Sequence, residues 1–383
     1  MIKNRNRLHI GLTIGSLLVL IGSYRFIFEC FFLYLFMSKA NVHTETLDLN
    51  WKLISLISEI DRFDASWLAI ERKEGQSLKE LKSIATVRSV GASTRIEGSK
   101  LSDQEVDVLL KNIDISKLEE RDQQEVVGYF EVLDLIDENY DHLPVSENGL
   151  KNLHNQLLKY SQKDQWHKGG YKQHTNAVEA YLPDGTSQII FQTTPPGFPT
   201  EDAMRAMMLW YDSEIETHPL VKAAWFCYEF VSIHPFQDGN GRLSRLLATL
   251  LLRKYGYQWI RYVSFEHEIE SQKTEYYRVL RACQSQRPGE NVTEWVVFFL
   301  SSLRNIQEAL MRKLDARGVE QRISSKEKQM LYIIESNAGI KTSGIAKKLD
   351  VSNSTVKRML DRLITLKLIE RQGVGPGSYY NLL

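Results

Sequence analysis

The sequence predicts a mainly α protein: a helical bundle with a short β-hairpin flap, followed by a C-terminal winged helix-turn-helix. Three observations carry that prediction. Apolar residues recur at helical spacing over most of residues 47–310. A Gly- and Pro-rich interval, residues 169–199, interrupts them and holds four of the nine prolines. Residues 322–383 form a separate basic unit with three helical stretches and two short strand-like ones.

Trp51, Leu53, Ile54, Leu56, Ile57 and Ile60 mark the first helix. Gly98 ends a helical stretch over 81–97. Ser102-Asp103-Gln104-Glu105 is a capping box that opens a helix toward Ile113. A further amphipathic stretch covers 125–136. Leu182-Pro183-Asp184-Gly185 followed by Gln188-Ile189-Ile190-Phe191 reads as a hairpin around a Pro-Asp-Gly turn. Helices resume at Glu201, and residues 220–232 are apolar nearly all round, so that helix belongs at the centre of a bundle. Leu243, Leu246, Leu247, Leu250 and Leu251 form a stripe on the next helix, which Gly256 closes. In the tail, helices are expected over 326–335, 343–349 and 352–366, with Asp350-Val351-Ser352 as turn and N-cap. Strands at 369–371 and 379–382 flank a tip at Gly373-Val374-Gly375-Pro376-Gly377. The expected divisions are 1–37, a hydrophobic N-terminal segment; 38–125, an N-terminal helical region; 126–310, the central domain; and 322–383, the winged helix.

Hydrophobic residues at 43% and charged residues at 25% are ordinary for a globular chain and exclude a disordered or fibrous one. Net charge is zero, with 48 basic and 48 acidic residues, but residues 322–383 hold 11 Lys and Arg against 5 Asp and Glu. That net +6 restricts any nucleic-acid reading to the tail. Cys30, Cys227 and Cys283 stand singly, with neither disulfide nor zinc spacing, which points to a reducing compartment.

The chemistry concentrates in His234-Pro235-Phe236-Gln237-Asp238-Gly239-Asn240-Gly241-Arg242-Leu243-Ser244-Arg245. A buried helix runs into this segment and an amphipathic one runs out. Gly239 and Gly241 are able to take positive φ, turning successive N–H groups toward one concavity at a helix N-terminus, where dipole and unpaired donors favour an anion. Arg242 and Arg245 are expected to reach further phosphate oxygens. Asp238 is a hard oxygen ligand suited to Mg²⁺. His234, neutral near pH 7, accepts a proton from an attacking hydroxyl. Base, metal ligand, anion nest and cationic clamp are the parts that transfer from a nucleoside triphosphate requires. Each alone is weak, since lone histidines and Gly-Asn-Gly turns are commonly structural; their union within twelve residues is what counts.

That segment matches the Fic family signature HPFx(D/E)GNGRxxR at every fixed position, and the chain resembles that family over most of residues 50–310. Gly170-Tyr171-Lys172, the hairpin near Ile189, Pro195-Pro196, Tyr276-Tyr277 and Trp295-Val296-Val297-Phe298-Phe299 support the resemblance. It implies AMPylation: AMP passes from ATP to a Ser, Thr or Tyr hydroxyl of a target protein, releasing pyrophosphate. By the same resemblance His234 is the base and Asp238 holds Mg²⁺. Phe236, Asn240 and the Gly239–Gly241 backbone belong to the nucleotide site, with Asn240 and that backbone at the α- and β-phosphates and Arg242 and Arg245 at the distal ones. Doc-like kinases of the family carry lysine where Gly241 stands, so glycine implies the nucleotidyl transferase. Ser93-Thr94-Arg95-Ile96-Glu97-Gly98 resembles the family's inhibitory pattern (S/T)xxxE(G/N). Glu97, with Ser93, would set a carboxylate against Arg245 where the γ-phosphate belongs, and in some members that glutamate positions water for AMP removal.

Gln188, Ile189, Ile190 and Phe191 are expected to dock an extended target segment at the hairpin edge, an ordinary surface hairpin being the alternative. Tyr276 and Tyr277 are expected near adenine, with core packing as the other reading. Ser354, Lys357 and Arg358 lie on the recognition helix of the tail, which suits DNA, with a protein interface as the other reading. The rival to the enzyme is therefore a DNA-binding transcriptional regulator whose Fic site senses nucleotide. Expected partners are a target protein, DNA through residues 322–383 and a homodimer. Location is expected to be cytoplasmic, with one open point: Lys3, Arg5 and Arg7 precede apolar runs at 8–24 and 26–37, long enough to span a bilayer. Either residues 1–36 are a membrane anchor, or translation starts at Met37. Export of the body behind such an anchor would remove it from ATP.

Overall fold

The computed structural model describes residues 46–181, 187–322 and, with short gaps, 324–382. The hydrophobic segment 1–37 and the turn residues Leu182 to Gly185 lie outside the described residues. Among those described, no helix is long and apolar enough to cross a membrane. The chain divides into two compact units, one running to Trp67 and from Ser83 to Arg304, the other joining Leu68–Lys82 to Asn305 onward. The boundary expected at residue 125 falls inside the first unit.

Helix α1 (Trp51–Lys73) buries Leu53, Leu56 and Ile60. Trp51 and Ile54, expected on the same stripe, are exposed, because six apolar residues in ten exceed the one face that i, i+3, i+7 spacing buries. Helix α2 (Gly75–Ile96) ends in a Schellman motif: Gly98, at φ 102°, donates to the Arg95 carbonyl and Ser99 to the Thr94 carbonyl. The predicted capping box opens α3 (Asp103–Lys111): Ser102 Oγ accepts from the Glu105 amide at 3.3 Å while Glu105 Oε2 accepts from the Ser102 amide at 2.8 Å. Helices α4 (Arg121–Asn139) and α5 (Glu147–Leu157) follow, then the antiparallel pair β1 (Ala177–Tyr181) and β2 (Ser187–Gln192), with a register shift between Val178 and Glu179. The bundle continues through α6 (Phe198–Ser213), α7 (Pro219–Ile233), α8 (Asn240–Lys254), α9 (Phe265–Ser271), α10 (Lys273–Gln284) and α11 (Thr293–Arg322).

Helix α7 occupies the centre, as its composition predicts. Pro219 supplies a helix-compatible φ in its first turn and Phe226, Tyr228, Phe230 and Ile233 are fully buried. It packs on α6 and α8, and α8 in turn rests on α4 and α5. Truncating Phe230 to alanine there costs about 3–5 kcal/mol, since a close-packed centre cannot collapse onto the cavity. The two central helices thereby hold rigidly the short loop that joins them.

In the second unit α12 (Ser325–Glu335), α13 (Thr342–Leu349) and α14 (Asn353–Thr365) are followed by the hairpin β3 (Ile369–Gln372) and β4 (Tyr379–Leu382), with Ile369 opposite Leu382 and Gln372 opposite Tyr379. Its core joins Met330, Ile334, Ile345, Val356, Leu360, Leu363, Ile369 and Tyr380. Asp350 takes the left-handed conformation at the end of α13 and Ser352 caps α14 by accepting from the Thr355 amide, so the predicted helix-turn-helix and wing are both present.

Candidate active site

The loop between α7 and α8 carries the signature. His234 closes α7 in the left-handed region (φ 55°, ψ 59°), a conformation that costs a side-chain-bearing residue about 1–2 kcal/mol and must be imposed by its surroundings. Asn240 draws the loop shut: its Oδ1 accepts from the Phe236 amide at 2.9 Å and its Nδ2 donates to the Phe236 carbonyl at 2.7 Å. His154 of α5 supports the other side. It accepts the Gly169 amide on Nδ1, so Nε2 bears the proton and donates to the Asp238 carbonyl at 2.9 Å. Its ring stacks on Phe236 with centroids 3.8 Å apart, and burial pushes its pKa down to about 4.

A pocket at the start of α8 is lined by His234, Asp238, Gly239, Asn240, Gly241, Arg245, Glu97, Tyr276 and Tyr277, among others. His234 Nδ1 lies 3.2 Å from the Val231 carbonyl, which only accepts; Nδ1 therefore carries the hydrogen and Nε2 keeps its lone pair. Burial drives its pKa down to about 4, the Val231 bond opposes this, and the charge of Lys172 adds to the drop. The imidazole is neutral at pH 7.

Asp238 accepts the Gly239 amide at 2.6 Å and an Arg242 Nη2 hydrogen at 3.2 Å on Oδ1, while its Oδ2 faces Lys163 Nζ at 3.1 Å. Burial raises its pKa, but Arg242, Lys163 and the Gly239 amide outweigh burial and hold the carboxyl well below the ordinary range. Arg245 is 3% exposed; its Nε donates to Ser93 Oγ at 2.8 Å, and Nη2 donates both to the Ser93 carbonyl at 2.9 Å and to Glu97 Oε1 at 2.8 Å. The structure thus brings Ser93 and Glu97 to Arg245, where the sequence pattern puts them. Lys273 Nζ donates to the Ile96 carbonyl at 2.9 Å, and Arg95 clasps Glu270 at 2.6 and 3.0 Å, fixing the end of α2.

Three expectations need correcting. Arg242 is not among the residues that line the pocket: it is 1% exposed and pairs with Glu125 at 3.3 Å and Asp238 at 3.2 Å, so it braces the acid. Phe236 is fully buried against His154 and Phe230 and is a core residue of the loop. Gly239 takes the left-handed conformation at φ 80°, but Gly241 lies in the first turn of α8 without positive φ. What demands glycine at 241 is space. A Cβ there would stand 2.4 Å from Glu97 Oε1 and 3.3 Å from Arg245 Nη1.

Tyr276 is packed in the core, 4% exposed and edge-to-face on Tyr277 and Trp295, and with Tyr277 it also lines the pocket. Strand β2, which packs on α10, holds Gln188, Ile189, Ile190 and Phe191. The side chains of the first three lie outside the described residues, and Phe191 is half-buried opposite Val178. Ser354, Lys357 and Arg358 share the exposed face of α14, whereas Arg362 on that helix reaches Glu327 at 3.4 Å. His154, Lys163 and Asn176, which touch the signature loop, were not singled out from sequence, and no local spacing marks them.

Residues 144–252 match the Fic/DOC family model and residues 323–373 the MarR family model. A Fido domain-containing protein of Dictyostelium discoideum is 34% identical over 106 residues, covering 27% of this chain and 70% of that protein. Protein adenylyltransferase Fic of Drosophila persimilis is 26% identical over 219 residues, 56% of this chain, and the match spans only 39% of the fly protein. The fold is shared with a Fic family protein from Desulfovibrio desulfuricans (TM-score 0.56, 23% identity, 88% of this chain and 97% of that one). It is shared also with Fic-1 from C. elegans (TM-score 0.52, 20% identity, 68% and 71%). With its signature loop seated between the two buried helices α7 and α8, the chain belongs to the Fic/DOC family.

Proposed function

We propose that the chain is a protein adenylyltransferase, which moves AMP from Mg-ATP to a Ser, Thr or Tyr hydroxyl of a target protein and is held off by Glu97. The observation that carries this reading is the lone pair of His234 Nε2 in one pocket with Asp238, the first turn of α8 and Arg245. The target hydroxyl attacks the α-phosphorus, its proton passes to His234 Nε2, and the bond from that phosphorus to pyrophosphate breaks. First-turn N–H groups of α8 lack intrahelical acceptors and suit the phosphate charge, while Arg245 suits its distal end. The curated Drosophila relatives named protein adenylyltransferase support AMP as the group transferred.

Asp238 fits magnesium. It presents a deprotonated carboxylate at the pocket, and among the described residues no cluster of three or more His, Cys, Asp or Glu is placed to hold a metal alone. One carboxylate completed by phosphate oxygens and water is the usual arrangement for this ion. Bound there, Mg²⁺ would neutralise phosphate charge. Glu97 occupies Arg245 and blocks the γ-phosphate, and in the reverse direction the same carboxylate would orient water for AMP removal.

Incubation with ATP labelled in turn at the α- and γ-phosphates tests the reading. Label should enter protein from the α position only and vanish in His234→Ala. Transfer from the γ position would identify a kinase instead. A second reading, a DNA-binding regulator with a nucleotide-sensing Fic site, draws on the MarR match and on exposed Lys357 and Arg358. It leaves the unprotonated Nε2 of His234 without a use.

A further inference from the structure

Lys172 is 2% exposed and lies where the chain enters the hairpin. Its ammonium spends all three hydrogens: Nζ donates to Asn176 Oδ1 at 2.9 Å, Thr193 Oγ1 at 2.8 Å and the Ile233 carbonyl at 3.1 Å. Its own amide donates to the Pro235 carbonyl at 2.9 Å. One residue therefore grips the carbonyls on both sides of His234. The next carbonyl, that of Phe236, accepts from Asn176 Nδ2 at 2.8 Å, and the His174 amide donates to Gln237 Oε1 at 3.1 Å. Asn176 directly precedes β1 and Thr193 directly follows β2, and Thr193 Oγ1 is itself within 3.0 Å of the Asn176 carbonyl and 2.6 Å of its Oδ1. Both ends of the hairpin thus converge on one buried cation.

Burying an ammonium is costly unless every donor is matched, and here every donor is. What the junction does is hold His234 in the left-handed conformation that the helix end alone does not favour. We propose that Lys172 is a positioning residue, which fixes the His234 backbone through the Ile233 and Pro235 carbonyls and ties the base of the β1–β2 hairpin to it. A target segment laid along the hairpin is then in register with the base. The inference rests on the adenylyltransferase reading, because it assigns His234 the role of base.

The test uses full-length protein carrying Glu97→Gly, so that any transfer is unmasked, with Lys172→Met as the uncharged variant of similar length. At saturating ATP and target, Lys172→Met should lower kcat about 30-fold or more, the scale on which a misplaced general base loses rate, while the Kd for Mg-ATP stays within about threefold. A purely structural role predicts the reverse, a lower melting temperature with kcat of the folded protein unchanged. If Lys172→Met fails to fold, Thr193→Val removes one acceptor without changing volume, and a fall in kcat of about threefold to tenfold is expected. NMR titration of the His234 imidazole in nucleotide-free protein supplies an activity-independent readout. With Glu97 and Asp238, the other charges near it, left in place in the wild-type background, loss of the Lys172 charge should move the midpoint upward from about 4. An unchanged kcat in the folded variant overturns the proposal. If the Lys172-intact protein transfers no AMP, the adenylyltransferase reading fails instead, and the imidazole midpoint alone decides whether Lys172 governs His234.

Discussion

Replacing Glu97 by glycine removes the carboxylate that, among the described residues, pairs with Arg245. The pair is 2.8 Å long, with Arg245 3% and Glu97 30% exposed, so solvent screens it only partly. A charge-assisted hydrogen bond in such a place contributes about 1.5–3 kcal/mol. On the proposed reading an incoming γ-phosphate displaces the carboxylate from the guanidinium, so deletion should raise kcat/KM for ATP about 10- to 100-fold, each 1.4 kcal/mol being tenfold. The backbone tolerates the change, because the helix end is closed by amides of Gly98 and Ser99 on the Arg95 and Thr94 carbonyls rather than by the Glu97 side chain. Transfer of α-labelled phosphate to protein measures the gain. Glu97→Gln keeps the volume but weakens the bond and should fall between wild type and Glu97→Gly. If Glu97→Gly transfers no more label than wild type, while His234→Ala in the same assay transfers none, the carboxylate is not what limits the enzyme. Equal activation by Arg245→Ala would also refute the reasoning, since the same arginine is needed for the triphosphate.

Gly241→Ala should also weaken the hold of Glu97, because its Cβ would fall 2.4 Å from Glu97 Oε1; basal labelling is expected to rise, though less than in Glu97→Gly, and the double variant to label less than Glu97→Gly alone. Burial holds His234 at about 4 with Glu97 present, and losing that carboxylate lowers it further, so kcat/KM of the Glu97→Gly protein should stay level through pH 6.5 and down toward pH 4; a midpoint near 6.5 would show the base to be solvated. His154 and His234 both have folded values of about 4 against an ordinary 6.5, so the unfolded chain takes up protons first, and the stability they contribute is complete above pH 6.5 and lost as pH falls from there toward 4. Melting temperatures recorded across that window check it. Lys357→Ala with Arg358→Ala should weaken duplex DNA binding by the full chain and reduce its salt slope by about 2; capture of DNA unaffected by both would assign the winged helix to a protein partner.

Elements governed by neighbours in sequence were readable in advance. The capping box at Ser102, the glycine stop at 98, the all-round apolar helix through Phe226 and the cap at Ser352 each depend on residues within about four positions, and each stands where it was expected. Trp51 and Ile54 show the limit of that reading, since apolar character does not say which residues of a crowded helix find a partner. His154 and Lys172 show another. The histidine that steadies the Asp238 carbonyl has no local pattern, and Lys172, though part of Gly170-Tyr171-Lys172, shows nothing locally of the carbonyls it grips, because the partners lie 84 and 61 residues away.

Arg242 and Arg245 make the same point inside the signature. Both lie on the first turns of one helix, three residues apart, and sequence assigns them one task. Their side chains diverge by about 60° around the axis, given 3.6 residues per turn. That suffices to send one to buried Glu125 and the other to Ser93 and Glu97. Arg242 then acts through Asp238, holding it ionised at the pocket wall, and Arg245 stands against Glu97, where the proposed triphosphate tail would compete. The glycine at 241 belongs to that competition. A Cβ there would meet the Glu97 carboxylate first, so the glycine is what lets that carboxylate approach the first turn of α8 and reach Arg245.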